Sequence, residues 1–114
     1  MIILTLENFE REILESEKPC IVSFKSDGCH LCLALTRMLF GLKKRYGNKF
    51  KFGVVDIGTA PEIFEVFDID GVPTMFLFEA GDGIEIPYPR NPSPSTGYSE
   101  EYLTKYFEVF LNDE

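Results

Sequence analysis

The sequence predicts a layered α/β domain, and two observations carry that prediction. Its 114 residues, 45% of them hydrophobic and 26% charged, are enough to build one hydrophobic core. Helical and strand patterns alternate along the whole chain, without a repeat or a low-complexity segment. We therefore expect residues 1–114 to form a single domain with the element order βαβαβαββα.

The chain opens with a strand and a helix. Ile2–Leu4 is short and apolar, as expected of a strand. Residues 5–16 follow a helical pattern, in which Thr5 can cap the first turn and Phe9 and Ile13 share one face.

A second strand and a long helix follow. Cys20–Lys25 is almost entirely apolar, which is typical of a strand buried by helices on both faces of a sheet. After the turn Ser26-Asp27-Gly28, residues 29–46 predict a helix, and Gly47 is expected to end it in the left-handed conformation.

The next strand and helix are shorter. Residues 50–57 predict a strand, and Thr59 with Glu62 predicts a capping box for a helix over residues 61–67. Gly71-Val72-Pro73 prevents this helix from continuing.

A hairpin and a last helix complete the chain. Thr74–Glu79 and residues 83–88 flank Gly81-Asp82-Gly83, a strong hairpin signal. Ser99 can cap a final helix that carries two glutamates in its first turn. The aromatic residues of this helix follow the helical period, and they are Tyr102, Tyr106, Phe107 and Phe110.

Charge and hydropathy argue against two classes of partner. The formal net charge of −8 repels nucleic-acid phosphates and anionic lipids. The basic residues that cluster, 43–45, end a predicted helix, where positive charge complements the helix dipole. The longest apolar stretch, residues 31–42, is too short to cross about 30 Å of hydrocarbon. We expect neither nucleic-acid nor membrane binding.

The N-terminus lacks the basic and then apolar pattern of a secretory signal, since an acidic residue already stands at Glu7. We therefore expect a cytoplasmic protein, and we expect it to be monomeric.

Cys29-His30-Leu31-Cys32 is a C-x-x-C motif at a strand-to-helix junction within a βαβ unit. Free backbone N–H groups and the helix dipole at the helix N-terminus stabilise a thiolate on Cys29, which lowers the thiol pKa from about 8.5. Cys29 is then the nucleophile, and Cys32, one turn further on and more buried, resolves the mixed disulfide. The motif predicts dithiol–disulfide exchange without a bound cofactor or metal.

Other uses of these cysteines fit the sequence less well. A zinc site would need further ligands, and His30 adjoins Cys29 too closely to complete a tetrahedron with Cys20. Haem attachment requires C-x-x-C-H, but Leu33 follows Cys32. Cys20 begins the strand that ends at the motif, about 20 Å away at about 3.3 Å per residue. We expect Cys20 to be a core residue, and a third redox thiol is the alternative.

The whole chain resembles the thioredoxin family in element order and motifs. The segment VDIGTAPEIFEVFDIDGVPT is similar to that family's third strand, third helix and G-[IV]-P-T turn, and Gly97 falls near its glycine before the last helix. The resemblance implies a mixed five-stranded sheet ordered 1-3-2-4-5 and thiol–disulfide oxidoreductase activity on protein disulfides. It also implies a cis peptide bond before Pro73 and pairing of the Val72 backbone with an extended substrate segment bordered by Gly97 and Tyr98. A flavoprotein thioredoxin reductase is the electron donor that the resemblance implies.

Four positions depart from the family. Gly28 stands where the family usually has tryptophan before the first cysteine, and Lys25 occupies a second common tryptophan position. Ser23 and Val54 replace a buried acid and its partner lysine. We therefore expect an altered docking surface and a resolving thiol that loses its proton to water, to the leaving thiolate or to His30.

Five residues around the cysteines are expected to tune the nucleophilic thiol. The partial positive charge of His30 stabilises a thiolate, although the helix dipole disfavours imidazolium there. Lys25 acts in the same direction and Asp27 opposes it. Leu31 and Gly28 act through local geometry. The alternative for His30 is a surface residue without consequence.

Two alternative functions remain open. FKSDGCHLC also resembles the glutaredoxins, which use glutathione, but the N-terminal strand and helix, the G-V-P-T turn and the lack of a clear glutathione-binding cluster favour thioredoxin. The missing charges and tryptophans are also compatible with a thioredoxin-fold binding module that has little turnover.

A proline-rich segment separates the last strand from the last helix. Topology places it at the active-site end of the sheet, where it either shapes a substrate groove or serves as a stiff surface connection. Its prolines are Pro87, Pro89, Pro92 and Pro94.

Overall fold

The computed structural model describes residues 1–113. These residues contain five strands, one short π-helix and three α-helices. In chain order the elements are β1 (Ile2–Leu4), the π-helix (Glu10–Leu14), β2 (Cys20–Lys25), α1 (His30–Tyr46), β3 (Lys51–Asp56), α2 (Pro61–Val66), β4 (Thr74–Glu79), β5 (Asp82–Ile86) and α3 (Glu100–Asn112). Within residues 1–113, no helix combines the length and the apolarity needed to cross a membrane.

The strands form one mixed sheet in the order β1-β3-β2-β4-β5, which confirms the predicted order. β3 lies parallel to β1 and β2, whereas β4 is antiparallel to β2 and to β5. The carboxyl end of central β2 therefore meets the carboxyl end of β3 and the start of β4. Lys25 pairs with Asp56 there, and Phe24 pairs with Thr74.

Apolar side chains cover both faces of the sheet. Cys20, Val22 and Phe24 of β2 belong to a core cluster with residues of the π-helix and α2, whereas Ile21 belongs to a second cluster with residues of α1 and α3. These four residues of β2 are each at most 1% exposed. This alternation is expected of a central strand between two helical layers, and it confirms the predicted layered fold.

The predicted helix over residues 5–16 is shorter and of a different type. The Thr5 hydroxyl accepts a hydrogen bond from the Asn8 N–H (3.2 Å), and the Asn8 side-chain oxygen accepts one from the Thr5 N–H (2.8 Å). This reciprocal pair closes a turn, and the π-helix begins after it. Phe9 and Ile13 are both buried, as predicted.

Two predicted helix ends are wrong. Gly47 has a right-handed φ of −64°, because its N–H still donates to the Lys43 carbonyl (2.7 Å) and the chain continues as a turn. The N-cap of α2 is Ala60, and no side chain caps it. The Thr59 hydroxyl donates instead to the Asp56 carbonyl (3.2 Å), so the expected capping box does not form.

The hairpin forms one residue earlier than predicted. Ala80 and Gly81 join β4 to β5 with positive φ angles of 52° and 87°, the conformation that a tight two-residue hairpin turn requires. The Ser99 hydroxyl caps α3 as predicted, accepting a hydrogen bond from the Tyr102 N–H (3.1 Å). The ends of β3, α2 and β5 differ from the predicted bounds by one or two residues.

Candidate active site

Cys29 and Cys32 are joined by a disulfide where the chain passes from β2 into α1. Their Cα atoms lie 5.2 Å apart, a usual separation for a bridged pair. Cys29 is half-buried, whereas Cys32 is only 2% exposed. An approaching molecule therefore reaches the sulfur of Cys29 first.

The Cys29 sulfur lies at the N-terminus of α1. Cys29 is the N-cap residue, and its sulfur accepts a hydrogen bond from the Cys32 N–H at 3.1 Å. The first turn of α1 carries no acidic residue. When the disulfide is reduced, the N–H groups and the dipole of this helix end stabilise negative charge on the Cys29 sulfur.

The turn before Cys29 depends on glycine. Gly28 has a φ of +80°, which residues with a side chain rarely adopt. Nothing lies within 4 Å of the place where a Cβ atom would stand, so the backbone conformation and not crowding sets this requirement. The missing side chain also leaves that side of Cys29 open.

Lys25 lies between two carboxylates at the end of β2. Its ammonium group is 3.0 Å from the Asp56 carboxylate and 3.5 Å from the Asp27 carboxylate. The hydrogen bond to Asp56 raises the pKa of Lys25, and a hydrogen bond from the Gly58 N–H (2.8 Å), followed by the one from Lys25, lowers the pKa of Asp56. Both members of the Lys25–Asp56 pair are therefore held in their charged forms.

An open depression of about 410 Å³ lies beside the disulfide. The two cysteines line it together with Lys25, Asp27 and Leu33. The charged cluster therefore borders the surface by which a molecule approaches Cys29.

His30 and Leu31 stand between the two cysteines. His30 is exposed, and its imidazole has no hydrogen bond or ion pair within residues 1–113. Leu31 is partly buried. Tuning of the thiol by these two residues stays a prediction.

Ser23 is buried and pairs directly with Val54 across β2 and β3. The two positions at which the sequence lacks a charged pair are thus neighbours in the sheet. Two residues further along the same strands, Lys25 pairs with Asp56. An ion pair is therefore present on these strands, but it lies at their carboxyl ends, where its side chains are 27% and 20% exposed.

The Val72–Pro73 peptide bond is cis and lies just before β4. The Thr74 hydroxyl donates to the Gly71 carbonyl (2.7 Å) and closes this turn. Because Thr74 pairs with Phe24, the turn lies at the end of the sheet from which the C-x-x-C motif emerges. Pairing of the Val72 backbone with a substrate stays a prediction.

The proline-rich segment reaches the same end of the sheet. Ser93 and Gly97 form an antiparallel bridge with hydrogen bonds of 3.1 and 2.8 Å, which closes a small loop.

Tyr98, predicted to border the substrate, is only 1% exposed. Its hydroxyl accepts a hydrogen bond from the Met75 N–H (3.1 Å) and donates one to the Ile86 carbonyl (2.9 Å). The Tyr98 side chain therefore holds the sheet, and a substrate-binding role for this residue stays a prediction.

Cys20 is fully buried at the opposite end of β2, which confirms the predicted core position. Its sulfur lies 3.4 Å from the Lys18 carbonyl, and burial raises the pKa of its thiol. Within residues 1–113, no group of three or more His, Cys, Asp or Glu side chains is placed to hold a metal ion.

Comparison with known proteins adds to this geometry. The sequence profile of the family described as Thioredoxin matches residues 1–92. The chain belongs to the thioredoxin family. The thioredoxin of Buchnera aphidicola subsp. Schizaphis graminum is 35% identical over 75 residues, which are 66% of this chain and 69% of that protein. The thioredoxin of Rickettsia bellii is 33% identical over 79 residues, which are 69% of this chain and 75% of that protein.

One relative is a fusion. The bifunctional thioredoxin reductase/thioredoxin of Mycobacterium leprae is 29% identical over 82 residues, which are 72% of this chain and 18% of that protein.

With the C-x-x-C disulfide in place, membership of the thioredoxin family makes the chain a thiol–disulfide oxidoreductase. This confirms the predicted family, fold and enzyme class.

Two residues near the site, Asp56 and Tyr88, are not among the site residues predicted from the sequence. Asp56 had a usable signal, because it ends β3 as Lys25 ends β2, and parallel neighbours in register end at the same sheet edge. Tyr88 had none. Its hydroxyl donates to the Pro73 carbonyl across fifteen residues of sequence, a contact that no local pattern predicts.

Proposed function

We propose that the chain reduces protein disulfides in the cytosol, with Cys29 as nucleophile and Cys32 as resolving thiol. The observation that supports this most strongly is the difference between the two sulfurs. That of Cys29 is accessible at a helix N-terminus and accepts a backbone hydrogen bond, whereas Cys32 is buried behind it. Accessibility and thiolate stabilisation together favour Cys29 for the first attack.

The reaction transfers two electrons in two exchange steps. The Cys29 thiolate attacks one sulfur of a substrate disulfide, forms a mixed disulfide with it and releases the other substrate sulfur as a thiolate. The deprotonated Cys32 then attacks the Cys29 sulfur, which forms the Cys29–Cys32 disulfide and releases the second substrate thiolate. The two protons of the dithiol end on the substrate thiols.

Cys32 must lose its proton without the help of a buried acid, because position 23 holds a buried serine. The proton acceptors that fit are water, the departing substrate thiolate and His30. The thiolate is already at the reaction centre, because the first step produces it there. That step thus supplies a base for the second.

The turn at Val72 and Pro73 supports a docking role for its backbone. It lies at the carboxyl end of β2, next to the start of the motif, and Val72 is only partly buried. An extended substrate segment that pairs with this backbone would be held by main-chain hydrogen bonds, which suits substrates of varied sequence. Gly97 and Tyr98, in the neighbouring loop, would support the same groove from beneath, because both are buried.

A flavoprotein thioredoxin reductase is the proposed electron donor. The Mycobacterium leprae relative supports this, because its name joins a thioredoxin reductase to a thioredoxin in one chain. The sulfur pair itself carries the two electrons, so the proposed reaction requires no other bound cofactor. We further propose that the chain acts as a monomer.

Reduction of insulin disulfides by dithiothreitol tests the proposed function. We expect the wild-type chain to accelerate the reaction and both Cys29→Ser and Cys32→Ser to fall to the uncatalysed rate. Cys20→Ser is the matched control, and it should retain activity. If the wild-type chain gives no acceleration, the binding-module alternative replaces the enzyme.

A further inference from the structure

Tyr88 connects the proline-rich segment to the turn before β4. Its hydroxyl donates a hydrogen bond to the Pro73 carbonyl. Its ring lies 4.6 Å from the ring of Tyr98, centre to centre, and packs over Gly97, where an added Cβ atom would stand 3.3 Å from a ring carbon. The Tyr88 residue is nevertheless 47% exposed. One face of Tyr88 is thus fixed by the fold, while the remainder faces solvent.

Two further tyrosines, Tyr98 and Tyr102, form a row of neighbouring rings with Tyr88. The Tyr98 ring lies 6.5 Å from the Tyr102 ring, and the Tyr102 hydroxyl donates to the Pro87 carbonyl (2.6 Å). The buried Tyr98 hydroxyl bridges β4 and β5. Of these three tyrosines, Tyr98 and Tyr102 hold the end of the hairpin and the start of the loop, and Tyr88 alone reaches the turn that carries Val72.

We propose that Tyr88 is a positioning residue for protein substrates. It holds the Pro73 carbonyl, and through it the backbone of Val72, in the place where a substrate segment pairs. This inference rests on the proposed function, because it assumes that protein disulfides dock along that backbone.

A fixed turn lowers the ordering cost that binding would otherwise carry. Without the Tyr88 hydroxyl, the Pro73 carbonyl loses one of the groups that orient it, and the turn samples positions that do not pair with a substrate. A small aromatic disulfide has no backbone to pair, so its reaction with Cys29 does not depend on the turn. The loss should therefore appear as a higher KM for protein substrates, with kcat and the small-disulfide rate little changed.

Tyr88→Phe tests this proposal, because it keeps the ring and removes the hydroxyl. Tyr102→Phe is the matched control, since it removes a hydroxyl from the same row that bonds to Pro87 and not to the turn. We expect Tyr88→Phe to raise the KM for insulin by about 3- to 10-fold, the scale of losing one modest hydrogen bond. Reaction with 5,5′-dithiobis(2-nitrobenzoate) should change less than twofold.

Amide hydrogen exchange supplies a readout that does not need turnover. In the oxidised protein, Tyr88→Phe should speed exchange at Thr74 or Met75, the first amides of β4 after the turn, beyond any change in global unfolding, and Tyr102→Phe should not. Unchanged exchange at both amides, or equal kinetic losses on both substrates, would overturn the positioning role. Failure of the proposed function has a different signature, since the wild-type chain itself would then not reduce insulin while exchange would still respond to Tyr88→Phe.

Discussion

The two ends of β2 carry cysteines in opposite environments. At the start of the strand, Cys20 is fully buried among apolar side chains, and burial raises its thiol pKa. Beyond the other end, Cys29 caps α1 and accepts a backbone hydrogen bond at its sulfur. The same side chain is thus a packing group at one end and the proposed nucleophile at the other. Backbone context decides which role a thiol takes.

The same contrast extends to the surroundings of the two thiols. Around Cys20 the neighbours are a closed core and a carbonyl 3.4 Å from the sulfur. Around Cys29 lie a positive-φ glycine, an ion pair at the sheet edge and a loop tied to the turn before β4. Both ends carry an ion pair, because Lys51, the partner of Cys20 in β3, contacts the Glu12 carboxylate at 3.0 Å. What sets the active end apart is the helix N-terminus at the sulfur, the glycine turn before it and the tied loop.

The largest effect expected from this contrast is the trapping of substrates on Cys29, which should be complete or absent. In a Cys32→Ser chain, Cys29 should retain substrates as mixed disulfides, because the resolving thiol is gone. Disulfide-linked adducts isolated from intact cells should vanish on reduction and should be absent from a Cys29→Ser, Cys32→Ser chain. Adducts that map to Cys20 would show that the buried thiol also reacts and that the two ends do not differ in reactivity.

The fold and the thiol pair follow from local patterns in the sequence. The buried strand Cys20–Lys25, the C-x-x-C motif and the Ser99 cap each depend on neighbours along the chain, and all three are confirmed. What local patterns miss are contacts between distant parts of the chain. The Gly47 carbonyl, for example, accepts a hydrogen bond from the Lys18 ammonium group (3.2 Å), 29 residues earlier.

The contacts of the active end belong to the same second class. The side chain of Asp56 meets Lys25 across 31 residues, and the hydroxyl of Tyr88 meets the Pro73 carbonyl across fifteen. The burial of Tyr98 also follows from contacts with distant strands, which local patterns do not predict.

A smaller effect is expected from the proline-rich segment. Deletion of residues 91–96 removes most of the loop that Ser93 and Gly97 close, so it should remove one side of the proposed groove. We expect kcat/KM for insulin to fall about tenfold, the scale of a few lost contacts, while the rate with a small aromatic disulfide stays nearly constant. Equal losses on both substrates would return the loop to the alternative of a stiff connection.

The next effect concerns redox poise. The partial positive charge of His30 should make the protein more oxidising, but the ring is exposed and solvent screens its charge. We therefore expect His30→Ala to make the reduction potential more negative by about 30 mV, equivalent to about 1.4 kcal/mol. A glutathione redox titration measures the shift. An unchanged or more oxidising variant would show that His30 does not set the potential.

The smallest expected effect is on stability at the active end. Since the pKa of Asp56 is lowered in the folded protein, Asp56 contributes stability above the ordinary carboxyl pKa of about 3.9, and that contribution is lost as the pH falls through its folded value. Asp56→Asn should lower the free energy of unfolding at pH 7 by less than about 1 kcal/mol, because the pair with Lys25 is partly exposed.

Urea unfolding at pH 7 and at pH 2 measures this contribution. The difference between wild type and Asp56→Asn should be smaller at pH 2, because protonation of Asp56 removes the charge that Asn lacks. A Lys25→Met chain separates the two partners of Asp56, because the Gly58 N–H bond remains in that variant. A difference that stays constant with pH would mean that the charge of Asp56 does not stabilise the fold.

Helix context is expected to make Cys29, and not Cys20, the reactive thiol. Alkylation of the reduced protein by iodoacetamide between pH 5 and pH 10, with each cysteine followed by mass spectrometry, tests it directly. We predict that the rate at Cys29 titrates with a pKa below the ordinary thiol value of about 8.5, while Cys20 stays unmodified as long as the protein is folded. A Cys29 rate that titrates at or above about 8.5, or modification of Cys20 as fast as that of Cys29, would contradict the account.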